Sequence, residues 1–384
     1  MLNTWRKVGA VIALVGGLCA CSQPAVQATF HAEDDPRLLS DWGVFDVSAG
    51  AVELSEGVVS YDLTTPLFTD YAHKLRTIWL PEDAAPGVYR KADYPDLPIG
   101  TVISKTFYYP RAEAGSETVR KTPDVSGALN PQLQSLDLIR LIETRLLVRR
   151  EAGWQALSYV WTEDQSDAVL TKIGAAKRLT LRTETGTETG AEEDFAYIVP
   201  NINQCAGCHA PNNTTREIVP LGVRPRHLNK AYVHADEPVN QLEYLQALAY
   251  LTDLEPVDSI ATNADWTDPD ASLEARARSY LDINCSHCHN PVGPADTSGL
   301  DLTMAAALGP ALGVCKLPIA AGSGTGGRMF SIVPGAPHDS ILQYRMESTD
   351  PGSMMPELGR ALQHAEGAAL IHDWIADMSG NCRS

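Results

Sequence analysis

The sequence predicts a multidomain α+β protein, an N-terminal antiparallel β-sandwich or barrel followed by two mainly α-helical modules. Three observations carry that expectation. Residues 41–195 lack helical periodicity and are rich in β-branched and aromatic residues between breakers. A short cysteine–histidine motif occurs twice in the second half, 80 residues apart, dividing it into 196–262 and 263–384. Apolar residues at helical spacing flank the second copy.

Residues 1–20 place Arg6 and Lys7 ahead of an apolar run from Val8 to Leu18, the layout of an export signal. The run is shorter than the roughly 20 apolar residues that span a bilayer. The zone Leu18-Cys19-Ala20-Cys21 has two readings. One is an ordinary signal peptide cut after Ala20, leaving Cys21 free. The other, by resemblance to a bacterial lipobox, makes Cys21 the lipidated first residue, with 21–40 as a tether. Several acyl chains on one residue anchor firmly where one is marginal. A non-aspartate, Ser22, then suggests the outer membrane, with the protein facing the periplasm.

Within 41–195 the segments 75–80, 101–109, 138–148, 154–161 and 195–199 read as strands, and their spacing suggests a sandwich or barrel. No metal-ligand cluster is evident there, His73 being its one histidine.

The chemistry lies further on. Asn203-Gln204-Cys205-Ala206-Gly207-Cys208-His209 and Asn284-Cys285-Ser286-His287-Cys288-His289 both contain C-x-x-C-H, the attachment sequence of c-type haem. Two thiols three positions apart reach the two vinyl groups of one haem, and the adjacent histidine supplies the proximal nitrogen. Two covalent haems are therefore expected, on Cys205, Cys208 and His209 and on Cys285, Cys288 and His289. A thioredoxin-like pair lacks its βαβ context here. A four-cysteine zinc site would need an unusually long spacing, and a plain disulfide leaves both histidines unexplained.

Each iron also needs a distal ligand or keeps an open position. Met355, in Ser353-Met354-Met355-Pro356, lies 66 residues after His289 and is the expected ligand of the second iron, with Met354 as the fallback. No methionine lies between His209 and Cys285. For the first iron the candidates are His227, His234, Met304 or Met329 from the second module, or no ligand. Helices are expected over 271–283, capped by Asp270, over 365–378, over 339–346 with Asp339 at the cap, and over 239–254. Cys315 and Cys382 remain, either bridged or as two free thiols.

The chain resembles a family of bacterial dihaem c-type cytochrome lipoproteins. In the first half the likeness rests on Thr65-Pro66-Leu67-Phe68-Thr69-Asp70-Tyr71-Ala72 and Tyr159-Val160-Trp161. In the second it rests on Asn203-Gln204-Cys205, Leu221-Gly222, Leu228-Asn229, Asn240-Gln241-Leu242 and Met354-Met355-Pro356-Glu357-Leu358-Gly359-Arg360. It implies cytochrome c-type haem modules and electron transfer, from a partner such as a dehydrogenase to a downstream acceptor. The alternative is a dihaem enzyme such as a peroxidase, with an open position at the first haem. The formal charge is −18, and removal of 1–20 would carry it to −20. Such a chain lacks the positive field that nucleic acid requires, and it favours a redox partner with a basic patch.

Overall fold

A computed structural model describes residues 26–91, 93–122, 133–183, 190–234 and 237–382. The readings of 1–20 and of Cys21 fall outside these residues. Among the described residues no helix is long and apolar enough to cross a membrane.

A six-stranded antiparallel sheet is the centre of the structure. Its order is Ala168–Leu170, Gly153–Trp161, Ile139–Arg150, Val102–Pro110, His73–Trp79 and Val59–Tyr61. Five of the expected strands are present within a few residues of their expected ends, because β-branched and aromatic residues fit a pleated, buried surface. Burial at nearly every position of Val102–Pro110 and Ile139–Arg150, polar residues included, marks these two strands as covered on both faces. One face packs Val102, Leu146, Leu157 and Tyr159 against Trp42 and Phe45. Two three-stranded sheets flank this centre. One pairs Phe45–Ser48, Ala51–Leu54 and Leu133–Ser135, and the other pairs Ala175–Thr183 with Glu192–Val199 and Val119–Lys121.

The second half does not form two mainly α-helical cytochrome modules. Among the described residues 21% is helix and 27% strand, a β-rich fold. The helices are α1 (Ile202–His209), α2 (Pro225–Leu228), α3 (Gln241–Ala247), α4 (Leu273–Asn284), α5 (Ile341–Glu347) and α6 (Ala365–Asp377). Long irregular stretches join them, and the reason lies in the packing. Val223 and Leu228, with Leu242 and Leu245 of α3, bury against Val59, Tyr61, Ile78, Ile103 and Leu147 of the sheet. The chain around the first motif therefore shares its core with the sheet, where short elements suffice. Only α4 and α6, with Leu302, Leu312, Ile332 and Met346, build a largely helical core of their own.

Three helix expectations also need correction. The helix expected over 239–254 stops at Ala247, because Ala249 turns with φ of 60° and Leu251–Thr252 then pairs with Gly87–Val88. Ser272, not Asp270, caps α4 by accepting from the Ala275 amide at 3.2 Å. Asp339 ends a 3-10 turn instead of capping α5, whose first turn follows Ser340.

Candidate functional site

The first motif lies within α1. Asn201 caps the helix by accepting from the Gln204 amide, and the Gln204 side chain accepts in return from the Asn201 amide, a reciprocal capping box. Helical spacing sets Cys205 and Cys208 one turn apart on one face. The second motif begins where α4 ends, Cys285 being its C-cap. Neither pair is bridged, whereas Cys315 and Cys382 form a disulfide across a separation of 67 residues.

Both motif histidines are oriented by their Nδ1 atoms. His209 Nδ1 meets the Val219 carbonyl at 2.8 Å, which can only accept, so Nδ1 carries the proton. His289 Nδ1 meets Ser298 Oγ at 3.1 Å. That hydroxyl spends its one proton on the Ala295 carbonyl at 2.7 Å and so accepts from His289. In each ring Nε2 is left with a lone pair. A second hydrogen bond that fixes the tautomer in this way is what a metal-bound histidine requires. Burial pushes His209 down to about 3 and His289 to about 4, so both rings are neutral.

The two motifs touch. Cys288 Sγ lies 3.4 Å from the Gly207 carbonyl. Asn290 Nδ2 donates to the Pro211 carbonyl at 3.2 Å, and the Asn213 amide donates to the Val292 carbonyl at 2.7 Å. The segment 65–71 passes between the halves and ties them together. The Phe68 amide donates to Asn284 Oδ1 at 2.9 Å, and Asp70 Oδ1 accepts from the amides of Ala361 and Leu362, each at 2.7 Å.

A cavity opens between α1 and the outer sheet face. It holds about 1280 Å³ of space between atoms, its open mouth included. Leu63, Leu67, Phe68, Ile103 and Leu147 give it apolar walls, and Cys205, Cys208 and His209 lie in its lining. Ligand pockets are mainly apolar with a few placed polar groups. Thiols one helical turn apart, an Nε2 lone pair and an apolar chamber fit a covalently held haem. Among the described residues no three His, Cys, Asp or Glu side chains could hold a bare metal ion, so the zinc arrangement finds no ligand set.

The distal candidates sort unevenly. The Met355 amide donates to the Arg345 carbonyl at 2.8 Å, and its own carbonyl accepts from Arg360 at 2.9 Å. Arg345 is also the charged group that joins burial in lowering the pKa of His289. Pro356, Leu358 and Gly359 continue from there into the wall of the first cavity.

His227 is elsewhere. Its Nδ1 accepts from Asn263 Nδ2 at 3.2 Å, and its Nε2 faces Asp282 Oδ2 at 3.7 Å. With one nitrogen accepting and the other facing a carboxylate, the ring has no lone pair left for iron. His234 stacks on Tyr244 at 3.8 Å between centroids and lines a different hollow, with Glu53–Ser60. Met329 is 65% exposed, and the backbone of Met304 bonds to Asp282 and Arg278.

Sequence reasoning missed the cations of this cavity. Lys74, Arg76, Lys105 and Arg145 lie in its lining. Arg76 stands opposite Lys105, and Lys105 opposite Arg145, so three cations run across three adjacent strands. Arg76 pairs with the buried Asp62 at 3.0 Å, and Arg145 pairs with the buried Glu143 at 2.5 and 2.9 Å. Among the described residues Lys105 has neither an ion pair nor a hydrogen bond, and its ammonium lies 5.2 Å from the Phe107 ring centroid. Burial pushes it down to about 7, with help from Arg145 and Arg76. The available signal was a lysine or arginine at alternate positions of apolar strands, as in Lys74-x-Arg76.

No family model, curated protein or solved structure matches the chain.

Proposed function

We propose that this protein is an exported, lipid-anchored dihaem c-type cytochrome that moves electrons between a redox partner and a downstream acceptor. The observation that carries the reading is the joining of the two C-x-x-C-H motifs, with Cys288 against Gly207, each motif beside a histidine whose Nε2 is free. Cys205 and Cys208 would hold one haem by thioethers with His209 as axial nitrogen. Cys285, Cys288 and His289 would hold the other, with Met355 as its second axial ligand. A bound haem supplies a reversible one-electron couple. The chain's part is to fix the histidine tautomers, exclude water from the first cavity and keep the two attachment points adjacent.

The disulfide Cys315–Cys382 accords with an oxidising compartment, as does the export signal. The net charge of −18 favours a partner with a basic docking patch, whose encounter rate falls as salt is added. The test is the pigment of the full chain matured in a host that attaches c-type haem. Two haems per chain that survive acid–acetone extraction are expected. A colourless protein after extraction overturns the reading.

A further inference from the structure

We propose that Lys105 supplies the distal nitrogen to the iron of the group carried by Cys205, Cys208 and His209. The inference rests on the haem reading above and concerns only the sixth position of the first iron. Among the described residues the lining of that cavity contains no methionine, and its nitrogen donors able to bind iron are His209, His287, Lys74 and Lys105. His209 is the proximal residue. His287 lies inside the second motif, between Cys285 and Cys288. Lys74 has an interaction of its own.

Lys105 differs from them all. It sits mid-sheet on Val102–Pro110, in register between two arginines that cannot lose their charge. Each arginine has its carboxylate, Asp62 or Glu143, and Lys105 has none. Like charges directly opposite one another on a sheet are destabilising, and a buried charge without a partner is costly. An amine bound to iron relieves both, since it carries no proton charge and its lone pair is used. The placement agrees, because Lys105 and His209 line the same cavity. A lysine that served only to neutralise a haem carboxylate would need its charge, whereas a ligand needs its nitrogen. The two roles make opposite demands on an arginine replacement.

The experiment uses the full chain matured with haem, as wild type, Lys105→Leu, Lys105→Arg and His287→Ala. Haem per chain is counted by pyridine haemochrome, and the ferric spin state is read by electron paramagnetic resonance. Wild type is expected to hold two low-spin haems. Both Lys105 variants keep two haems per chain and turn one high-spin, and added imidazole returns that haem to low spin. His287→Ala leaves both low-spin. A Lys105→Arg protein with two low-spin haems overturns the assignment in favour of a charge role. Conversion by His287→Ala moves the ligand to His287, and a high-spin haem already present in wild type leaves the position open. Each of these results sinks the proposal. Wild type without covalent haem refutes the haem reading itself, which the haemochrome count registers separately.

Discussion

Asp282 gives the sharpest test of how the two halves are held together. It lies in α4, three residues before Cys285, and its side chain is fully buried. Its oxygens accept from Arg226 Nε at 2.9 Å and Nη2 at 2.8 Å, from Asn263 Nδ2 at 3.1 Å and from the Met304 amide at 3.3 Å. One carboxylate thus binds α2, the chain before α4 and the loop after the second motif. Asp282→Ala leaves the Arg226 guanidinium, only 18% exposed, without its counter-charge. Breaking one partner out of a buried pair costs about 3–5 kcal/mol. The partial exposure of Arg226 points to the lower end, about 3 kcal/mol. Melting temperature moves about 2–4 °C per kcal/mol for chains of 150–250 residues and only about 1–2 °C for a chain of this length, so a fall of roughly 3–6 °C is expected. Circular dichroism melts of wild type, Asp282→Ala, Arg226→Ala and the double variant measure it. The two single losses should fail to add, since the second removal discards a charge that is already unpaired. A single-variant loss below about 0.5 kcal/mol, or strict additivity, refutes the reasoning.

The same carboxyl fixes the pH dependence. Burial raises its pKa, but the Arg226 hydrogen bonds and charge outweigh burial, and the net direction is down. A folded pKa below the unfolded one means the contribution is complete above the unfolded value of about 3.9 and fades as pH falls through the folded one. The stability gap between wild type and Asp282→Asn should therefore hold from neutrality to about pH 5 and close only in stronger acid.

Three further outcomes are expected. Cys315→Ser should destabilise by roughly 4 kcal/mol, because the bridge closes a loop of 67 residues in the unfolded chain; a reductant should match it, and a melt unchanged by either excludes that role for the bridge. Gly367→Ala should cost about 1–3 kcal/mol at the α4–α6 contact, since a new Cβ would lie 2.4 Å from Tyr280 Oη and 2.6 Å from His364 Nδ1; an unchanged melting temperature would show that this contact yields freely. Met355→Ala should abolish the weak far-red band of a methionine–ferric haem pair while both haems stay attached, and a band that persists moves the ligand to Met354 or elsewhere.

Local chemistry explains which parts of the molecule were legible from residues alone. The strands 101–109 and 154–161 and the helix 365–378 were readable because each repeats a local preference over eight or more positions. The extent of the helix begun at 239 was not, because a strand 164 residues earlier captures Leu251 and ends it. The cap of α4 went to Ser272 over Asp270 through side-chain geometry that either residue could have supplied locally. The two mainly helical modules failed for a larger reason. The apolar positions around the first motif are real, but they bury against the sheet and do not need long helices to cover one another.

What the sequence determined by itself is the pair of C-x-x-C-H motifs on which the proposed attachment rests. C-x-x-C-H is a local device whose thiols and imidazole need only their spacing, so Cys205, Cys208, His209, Cys285, Cys288 and His289 are identifiable from the string alone. The tertiary structure decided everything that depends on approach. It set the two motifs against each other through Cys288 and Gly207, and it turned His227 away toward Asn263 and Asp282. It also brought Lys105, 100 residues before Cys205, into the same cavity as His209. Distal positions are filled across space and leave no pattern along the chain, because a strand buried on both faces gives no local sign of which side chain will face a cavity.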